Sequence, residues 1–149
     1  MGTGGEHWLW RLSARDWLAA AENELKQGRS NLGARRTAVT FARRAAGMAL
    51  NGALVAQADQ GWASSRCETA WGRSYMDHLR TLADAADGSV EAREPFAEDD
   101  CLRCRELLAI PVMPPQGLVQ LSAGRDQAAS RALELAELIV HACAARIQP

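Results

Sequence analysis

The sequence predicts an all-α protein, an up-and-down bundle of about five helices in one domain spanning residues 1–149. Apolar residues recur with helical spacing over most of the chain, whereas the alternation typical of strands is scarce. The length of 149 residues suits one domain, which can bury a core without disulfides or metals. Hydrophobic residues make up 48% and charged residues 23% of the chain, as in an ordinary globular protein.

The first two predicted helices occupy the N-terminal part of the chain. The first covers residues 13–27, and Ser13 and Asp16 at its start form a weak capping box. Residues 33–56 carry apolar side chains on two opposite faces, a pattern typical of a helix at the centre of a bundle or at a subunit contact. Gly47 lowers helix propensity there by about 1 kcal/mol relative to Ala, so we expect a packing reason for it.

Three further helices are predicted in the C-terminal part of the chain. They cover residues 74–86, 97–109 and 124–146. A long connection, residues 57–72, precedes them and contains two tryptophans, so we expect part of it to pack onto the bundle. Residues 1–7 are predicted to form a mobile tail.

The net charge of −1 conceals an uneven distribution of charge. Residues 1–75 hold ten Lys and Arg against six Asp and Glu, whereas the rest of the chain holds seven against twelve. The interval 26–58 contains six cations and no acid. Such a stretch either attracts phosphate or an acidic partner, or pairs with the acidic half of its own fold. If it binds a partner, Arg36, Arg43 and Arg44 are the candidate contact residues.

The sequence also predicts where in the cell the protein is located. Its first residues lack the basic start and apolar core of a signal peptide. No apolar run approaches the roughly 20 residues needed to cross a bilayer. We therefore expect a cytoplasmic protein that does not contact a membrane and whose four cysteines stay reduced.

Two cysteines have the spacing of metal ligands. Cys101 and Cys104 share one face of a predicted helix, but a structural zinc site needs four converging ligands. Cys143 and His141 lie on opposite faces of the last predicted helix and do not converge. Buried structural thiols are therefore predicted and a metal site is not. The chain has no phosphate loop and no dinucleotide fingerprint, so no cofactor is predicted.

One arrangement suits metal-independent RNA cleavage. In Arg73-Ser-Tyr-Met-Asp-His78, the imidazole could transfer protons near neutral pH and the guanidinium could hold the scissile phosphate. Sixteen Arg and three His also produce such a spacing about once by chance. On one straight helix the two side chains would be about 140° apart, so they could meet only if Arg73 precedes the helix or if two subunits contribute.

Four segments carry a family resemblance through their order and separation: WLAAAENEL at 17–25, TAVTFARRAAGMALNGAL at 37–54, His78-Leu79-x-x-Leu82, and CRELLAIPVMPPQ at 104–116. Together they resemble the HEPN family of small prokaryotic helical domains over residues 8–147. The chain departs from that family's pattern at Gly47 and Asn51, which replace the usual Glu and Lys. It also lacks the Arg-Tyr of the fourth segment.

The resemblance implies a bundle of four or five helices that dimerises. Members of the family include RNA-cleaving toxins with an Arg-x(4–6)-His motif at a dimer cleft, and non-catalytic partners of small nucleotidyltransferases. Carried over, the toxin motif falls on Arg73 and His78. His78 also coincides with the histidine that begins the "HdL" helix of non-catalytic members, so its presence alone does not separate the two groups.

We therefore expect first a HEPN-like interaction module of a toxin–antitoxin, defence or nucleotidyltransferase-associated system. It would form a homodimer, with an exposed side of the second helix as candidate dimer surface, and would bind a nucleotidyltransferase, an antitoxin or RNA. The first alternative is an endoribonuclease that uses Arg73 and His78 as catalytic residues. The second is a helical adaptor or regulator unrelated to this family. The residues alone leave catalysis and binding both open.

Overall fold

The computed structural model describes residues 7–70, 74–88, 94, 96–112 and 126–148. Over these ranges the chain is helical and forms no strand, so the predicted all-α bundle is confirmed. A 3-10 turn, Trp8–Arg11, precedes α1 (Ala14–Arg29), α2 (Arg35–Asp59), α3 (Ser64–Thr69), α4 (Tyr75–Ala85), α5 (Glu98–Ala109) and α6 (Gln127–Ile147). None of the helices within the described ranges combines the length and apolar character needed to cross a bilayer.

The five predicted helices correspond to α1, α2, α4, α5 and α6, and capping side chains explain several of their bounds. Ser13, Ser74 and Asp126 cap α1, α4 and α6. Each side-chain oxygen accepts a hydrogen bond from the backbone N–H three residues later, at 3.1, 3.2 and 2.9 Å respectively. Because Asp126 is the cap, α6 begins at Gln127 rather than at residue 124.

The connection predicted at residues 57–72 is partly helical. It contains α3, which the sequence did not predict because six residues are too few to show a helical period. Cys67 is buried, and the Arg66 guanidinium lies 3.5 Å from the centre of the Trp62 ring. The burial of Cys67 in the core, with Trp62 packed against that core, bears out the expectation that the connection packs partly onto the bundle. Its second tryptophan, Trp71, lies outside the described residues.

The 3-10 turn covers one end of the bundle. His7, which was predicted to lie in a mobile tail, caps this turn because its Nδ1 accepts a hydrogen bond from the Leu9 N–H at 3.1 Å. Leu9 is fully buried, and its carbonyl accepts a hydrogen bond from Trp17 Nε1 at 2.9 Å. Trp10 Nε1 donates to Glu68 Oε2 at 2.5 Å. The turn is therefore joined to both α1 and α3, and the residues before His7 lie outside the described part of the chain.

Helix α2 is the centre of the bundle and packs against α1, α4 and α6. A Cβ placed on Gly52, near the end of α2, would lie 2.9 Å from both the Ala14 carbonyl of α1 and Ile147 Cδ1 of α6. One placed on Gly28, near the end of α1, would lie 2.6 Å from Leu133 near the start of α6. Helix α1 thus runs antiparallel to α2 and α6. The second and last predicted helices lie side by side in the interior, as expected.

The central position of α2 corrects the expectation that one side of this helix is exposed and available for dimerisation. The exposed residues of α2 are Arg36, Thr37 and Thr40 near its start and Asp59 at its end. The long middle of the helix is covered by its three neighbours. Helix α2 therefore does not offer the broad exposed side that the sequence suggested as a dimer surface.

Candidate functional site

The candidate catalytic histidine lies at the contact between α2 and α4. His78 belongs to the first turn of α4, which Ser74 caps, and its side chain is fully buried. Its Nε2 lies 2.7 Å from Oδ1 of Asn51 on α2. A carbonyl oxygen can only accept a hydrogen bond, so Nε2 carries the proton and donates it. Trp8 stacks on a face of the imidazole, with ring centres 5.8 Å apart and planes inclined by 28°. The imidazole is therefore enclosed by protein, and its side chain has no exposed surface.

Gly47 accompanies Asn51 on the same side of α2, one helical turn earlier. A Cβ at position 47 would lie 2.8 Å from Cγ and 2.9 Å from Cα of Tyr75, and closer still to its Cβ. Tyr75 and His78 of α4 thus pack directly on Gly47 and Asn51 of α2. The packing reason expected for Gly47 is confirmed. These are the two positions of the second segment at which the sequence differs from the HEPN pattern that it resembles, and a Glu at position 47 would not fit.

Arg73, the other candidate catalytic residue, lies outside the described residues. The buried position of His78 limits the proton transfer that its imidazole could carry out. A general acid or base must come within hydrogen-bonding reach of the proton that it transfers. The imidazole could reach a phosphodiester only if side chains that bury it moved.

The basic stretch at 26–58 is largely paired within the fold. Its cations bind carboxylates or backbone carbonyls of other helices as follows: Arg29 to Glu137 at 2.5 Å, Arg35 to Asp126 at 3.0 Å, Arg44 to Glu24 at 2.7 Å, and Arg43 to carbonyls at the end of α5. Two of these carboxylates belong to the acidic C-terminal half of the chain. The structure thus favours the second of the two interpretations of this stretch, in which it pairs with its own fold.

Arg43 caps the C-terminal end of α5. One of its terminal nitrogens donates to the carbonyls of Ile110, Leu108 and Leu107 at 2.9, 3.2 and 3.4 Å. The last carbonyls of a helix have no partner within the helix, and a cation there is favourable. Burial lowers the pKa of the Arg43 guanidinium, and the nearby Tyr75 opposes this shift. Arg43 is therefore a structural residue that joins α2 to α5.

The other two candidate partner-binding arginines differ from Arg43 and from each other. Arg44 pairs with Glu24, a carboxylate that is 9% exposed, while the Arg44 side chain remains 43% exposed. Arg36 is exposed, and no ion pair reaches it from the described part of the chain. The three guanidinium groups thus differ in their partners and in their burial.

Replacing Arg43 tests its capping role. We expect Arg43→Met to lower the free energy of unfolding by about 1.5 kcal/mol, because the α5 carbonyls lose charge-assisted hydrogen bonds. The matched change Arg36→Met should have an effect within about 0.5 kcal/mol, because Arg36 is at the surface. Urea unfolding followed by circular dichroism measures both values. Equal effects of the two changes would contradict the assignment of Arg43 as a cap.

All four cysteine side chains are buried and none forms a disulfide bond; the burial of Cys101 and Cys104 was predicted. Burial raises the pKa of the Cys104 and Cys143 thiols, so both stay protonated near neutral pH. His141 is exposed on the opposite face of α6 from Cys143, also as predicted. Within the described ranges no three or more His, Cys, Asp or Glu side chains come together in a way that could hold a metal ion.

Asp126 links the start of α6 to α2. Its Oδ1 and Oδ2 accept hydrogen bonds from Arg35 Nε at 3.0 and 3.1 Å, and Oδ1 also accepts from the Ala129 N–H. Burial alone would raise the pKa of this carboxyl group, but the hydrogen bonds from Arg35 and Ala129 outweigh it and lower the pKa. The carboxylate is therefore held in its charged form.

A pH dependence of stability follows from Asp126. Its pKa is depressed in the folded protein, so its contribution is fully present above the ordinary value of about 3.9 and is lost as pH falls through the folded value. Asp126→Asn keeps a good helix cap but removes the charge. We expect the wild type to exceed this variant by about 1 kcal/mol at neutral pH, with a difference that shrinks below about pH 4. Urea unfolding over this pH range checks it; a constant difference would contradict it.

The structure also contains a groove that the sequence analysis missed. It runs between α1 and α6 and comprises two adjoining cavities of about 440 and 300 Å³, both lined by Arg29 and Glu137. We call it the α1–α6 groove. Leu138, one of the two large hydrophobic side chains that are exposed in the described residues, lines it and is 39% exposed. In the sequence, this leucine lies between the polar residues Glu137 and His141 and interrupts the polar face of α6. That interruption is the feature from which the groove could have been predicted.

In comparisons with known proteins, no protein-family model, no curated protein and no solved structure matches the chain.

Proposed function

We propose that this protein acts by binding rather than by catalysis, as a HEPN-like helical interaction module of a toxin–antitoxin, defence or nucleotidyltransferase-associated system. The observation that carries the proposal is the position of His78, fully buried between Asn51 and Trp8. In this position the imidazole supports the contact between α2 and α4. The proposal includes a cytoplasmic homodimer whose partner is a nucleotidyltransferase or an antitoxin.

The arginines support the same proposal. A ribonuclease needs guanidinium groups or similar donors directed at the scissile phosphate. Arg43 instead binds the carbonyls at the end of α5, and Arg44 binds Glu24. Both groups stabilise the bundle, and only Arg36 of the three candidates is fully at the surface. Of these three candidates, Arg36 is therefore the one without an ion pair or carbonyl partner among the described residues, and a single such arginine gives weak support to phosphate binding.

An RNA-cleavage assay tests the non-catalytic part of this proposal. Purified wild-type protein and the His78→Ala variant are incubated with RNA in the presence of EDTA, which removes metal-dependent contaminants. We expect no cleavage by the wild type beyond that of a buffer control. Cleavage by the wild type that is absent from a folded His78→Ala variant would reject the proposal in favour of the endoribonuclease. Because the wild type is itself informative, the test does not depend on the variant being stable.

Co-expression tests the binding part. The chain carries an affinity tag and is expressed together with the genes that flank its own gene. We expect a flanking gene product to co-purify in a fixed ratio, and size-exclusion chromatography with light scattering gives the mass of the complex. A chain that remains a monomer and binds none of these products would favour the unrelated helical adaptor. RNA binding is measured separately at low and high salt, because phosphate contacts weaken as salt rises.

A further inference from the structure

Residues 7–11, the 3-10 turn and its cap, are fastened to the helices through side chains, and we call them the N-terminal strap. Leu9 is fully buried in the core, and its carbonyl accepts a hydrogen bond from Trp17 Nε1 of α1. Trp10 Nε1 donates another to Glu68 Oε2 of α3. Within the described residues, no backbone–backbone hydrogen bond joins the strap to a helix. Its attachment therefore depends on a few side-chain contacts that can be lost together.

Helix α1 does not need the strap in order to begin. Leu12 and Ser13, which connect the two, both have extended backbone, with φ and ψ of −126° and 150° at Leu12 and of −69° and 167° at Ser13. The Ser13 hydroxyl caps α1 by accepting a hydrogen bond from the Asp16 N–H. Since this cap follows the strap in the chain, rotation about the backbone at Leu12 can move the strap away while α1 keeps its first turn.

The strap covers one face of His78. Trp8 stacks on the imidazole with 5.8 Å between ring centres, and it meets the Trp17 ring edge-on at 6.4 Å. The strap also packs on α2, which carries Asn51, the hydrogen-bond partner of His78. Detachment of the strap would therefore remove protein from one face of the imidazole and from the Trp17 ring at the same time.

We propose that the N-terminal strap is a cover that opens as a unit while α1 to α6 stay folded, and that its opening controls access to His78. Holding five residues in one conformation costs conformational entropy, which opposes the side-chain contacts that close the strap. Opening is therefore a local event that requires less free energy than unfolding of the bundle. This inference goes beyond the proposed interaction function, and it holds whether or not His78 is catalytic.

Hydrogen exchange of the wild-type protein, followed by NMR, tests the opening directly. The indole N–H groups of Trp10 and Trp17 report it, because both are bonded across the boundary between the strap and the helices. We expect both indole protons to exchange at least about a hundredfold faster than the buried amides of α2, such as that of Leu50. Low concentrations of urea should accelerate the α2 amides and leave the indole protons almost unchanged, since opening of the strap exposes little surface.

A matched pair of variants shows whether the strap moves as a unit. Glu68→Ala removes the acceptor of the Trp10 indole and leaves every residue of the strap in place. We expect the Trp17 indole, which is bonded to Leu9 and not to Glu68, to exchange about fivefold faster in this variant. Glu22→Ala makes the same substitution at an exposed position of α1 and should change this rate less than twofold.

Chemical modification measures access to His78 itself. Diethyl pyrocarbonate adds an ethoxycarbonyl group to accessible imidazole nitrogens, and mass spectrometry of the peptides gives the rate for each histidine. His141 is exposed and serves as the internal reference. We expect His78 to react slowly in the wild type and about fivefold faster in Glu68→Ala, in parallel with the Trp17 indole, whereas the rate of His141 stays the same.

The possible results decide the proposal in both of its parts. Exchange of the two indole protons only together with the α2 amides, with the same dependence on urea, would show that the strap opens only when the whole bundle unfolds. A Glu68→Ala protein in which the Trp17 indole exchanges faster but His78 reacts no faster would show that the strap does not control access to the imidazole. Either result overturns the proposal and leaves the interaction function, which co-expression tests, unaffected.

Discussion

Gly47→Ala is expected to lower the free energy of unfolding by about 3 kcal/mol. Helix propensity alone predicts the opposite, a gain of about 1 kcal/mol from replacing glycine inside a helix. Packing decides the sign because the new Cβ would lie 2.9 Å from Cα of Tyr75 and closer still to its Cβ. A backbone atom cannot rotate away, so α4 has to shift from α2.

Three other glycines, of which Gly28 and Gly52 are buried and Gly88 is exposed, provide a graded comparison. A Cβ at Gly52 meets the Ala14 carbonyl at 2.9 Å, which is again backbone. A Cβ at Gly28 meets mainly the flexible end of Leu133, which can adjust. At Gly88 the nearest atom would be 3.6 Å away, an ordinary contact. We therefore expect Ala to destabilise the protein most at Gly47, less at Gly52, less again at Gly28 and very little at Gly88.

Thermal unfolding by circular dichroism measures this series. For a domain of about 150 residues, a loss of 3 kcal/mol corresponds to a decrease in Tm of about 9 °C. Gly88→Ala controls for the addition of a methyl group without a clash. A Gly47→Ala protein as stable as Gly88→Ala would show that α4 does not pack on α2 as described, and it would also remove the structural basis for the buried His78.

The main features of the fold could be predicted because they depend on local signals. Ser13 and Ser74 carry the capping chemistry that starts α1 and α4, and the apolar spacing along residues 33–56 indicated a helix covered on several sides. The short helix α3 could not be predicted, since six residues contain fewer than two helical turns. Its contacts with distant residues, such as the hydrogen bond that Glu68 accepts from Trp10, are not visible in local spacing.

The candidate site was harder to predict for a different reason. His78 was selected by its spacing from Arg73, whereas the partner that the structure gives it, Asn51, is 27 residues away in the sequence. Helical periodicity places Arg43 and Asn51 in one polar sector of α2, but it does not say whether water or another helix faces that sector. Here Arg43 meets the end of α5 and Asn51 meets α4. Periodicity therefore identified the polar residues and misjudged their surroundings.

The buried His78–Asn51 pair gives the second large expected effect. His78→Leu leaves the Asn51 carbonyl oxygen buried without its donor and removes the stacking of Trp8, so we expect a loss of about 3 kcal/mol. Asn51→Leu leaves the imidazole N–H without its acceptor, and we expect a loss of about 2 kcal/mol. The double variant places two apolar side chains in contact, with neither polar group left alone, and should lose less than the sum of the two single changes.

A double-mutant cycle by urea unfolding separates a buried hydrogen bond from an active-site pair. We expect a coupling energy of about 1–2 kcal/mol between positions 51 and 78. His141→Leu is the matched control, because it makes the same substitution at an exposed position and should change stability by less than about 0.5 kcal/mol. Residues kept for catalysis rather than for packing can usually be replaced at little cost in stability. Additive and small effects at both positions would therefore restore His78 as a candidate catalytic residue, whereas strong coupling would assign it to the contact between α2 and α4.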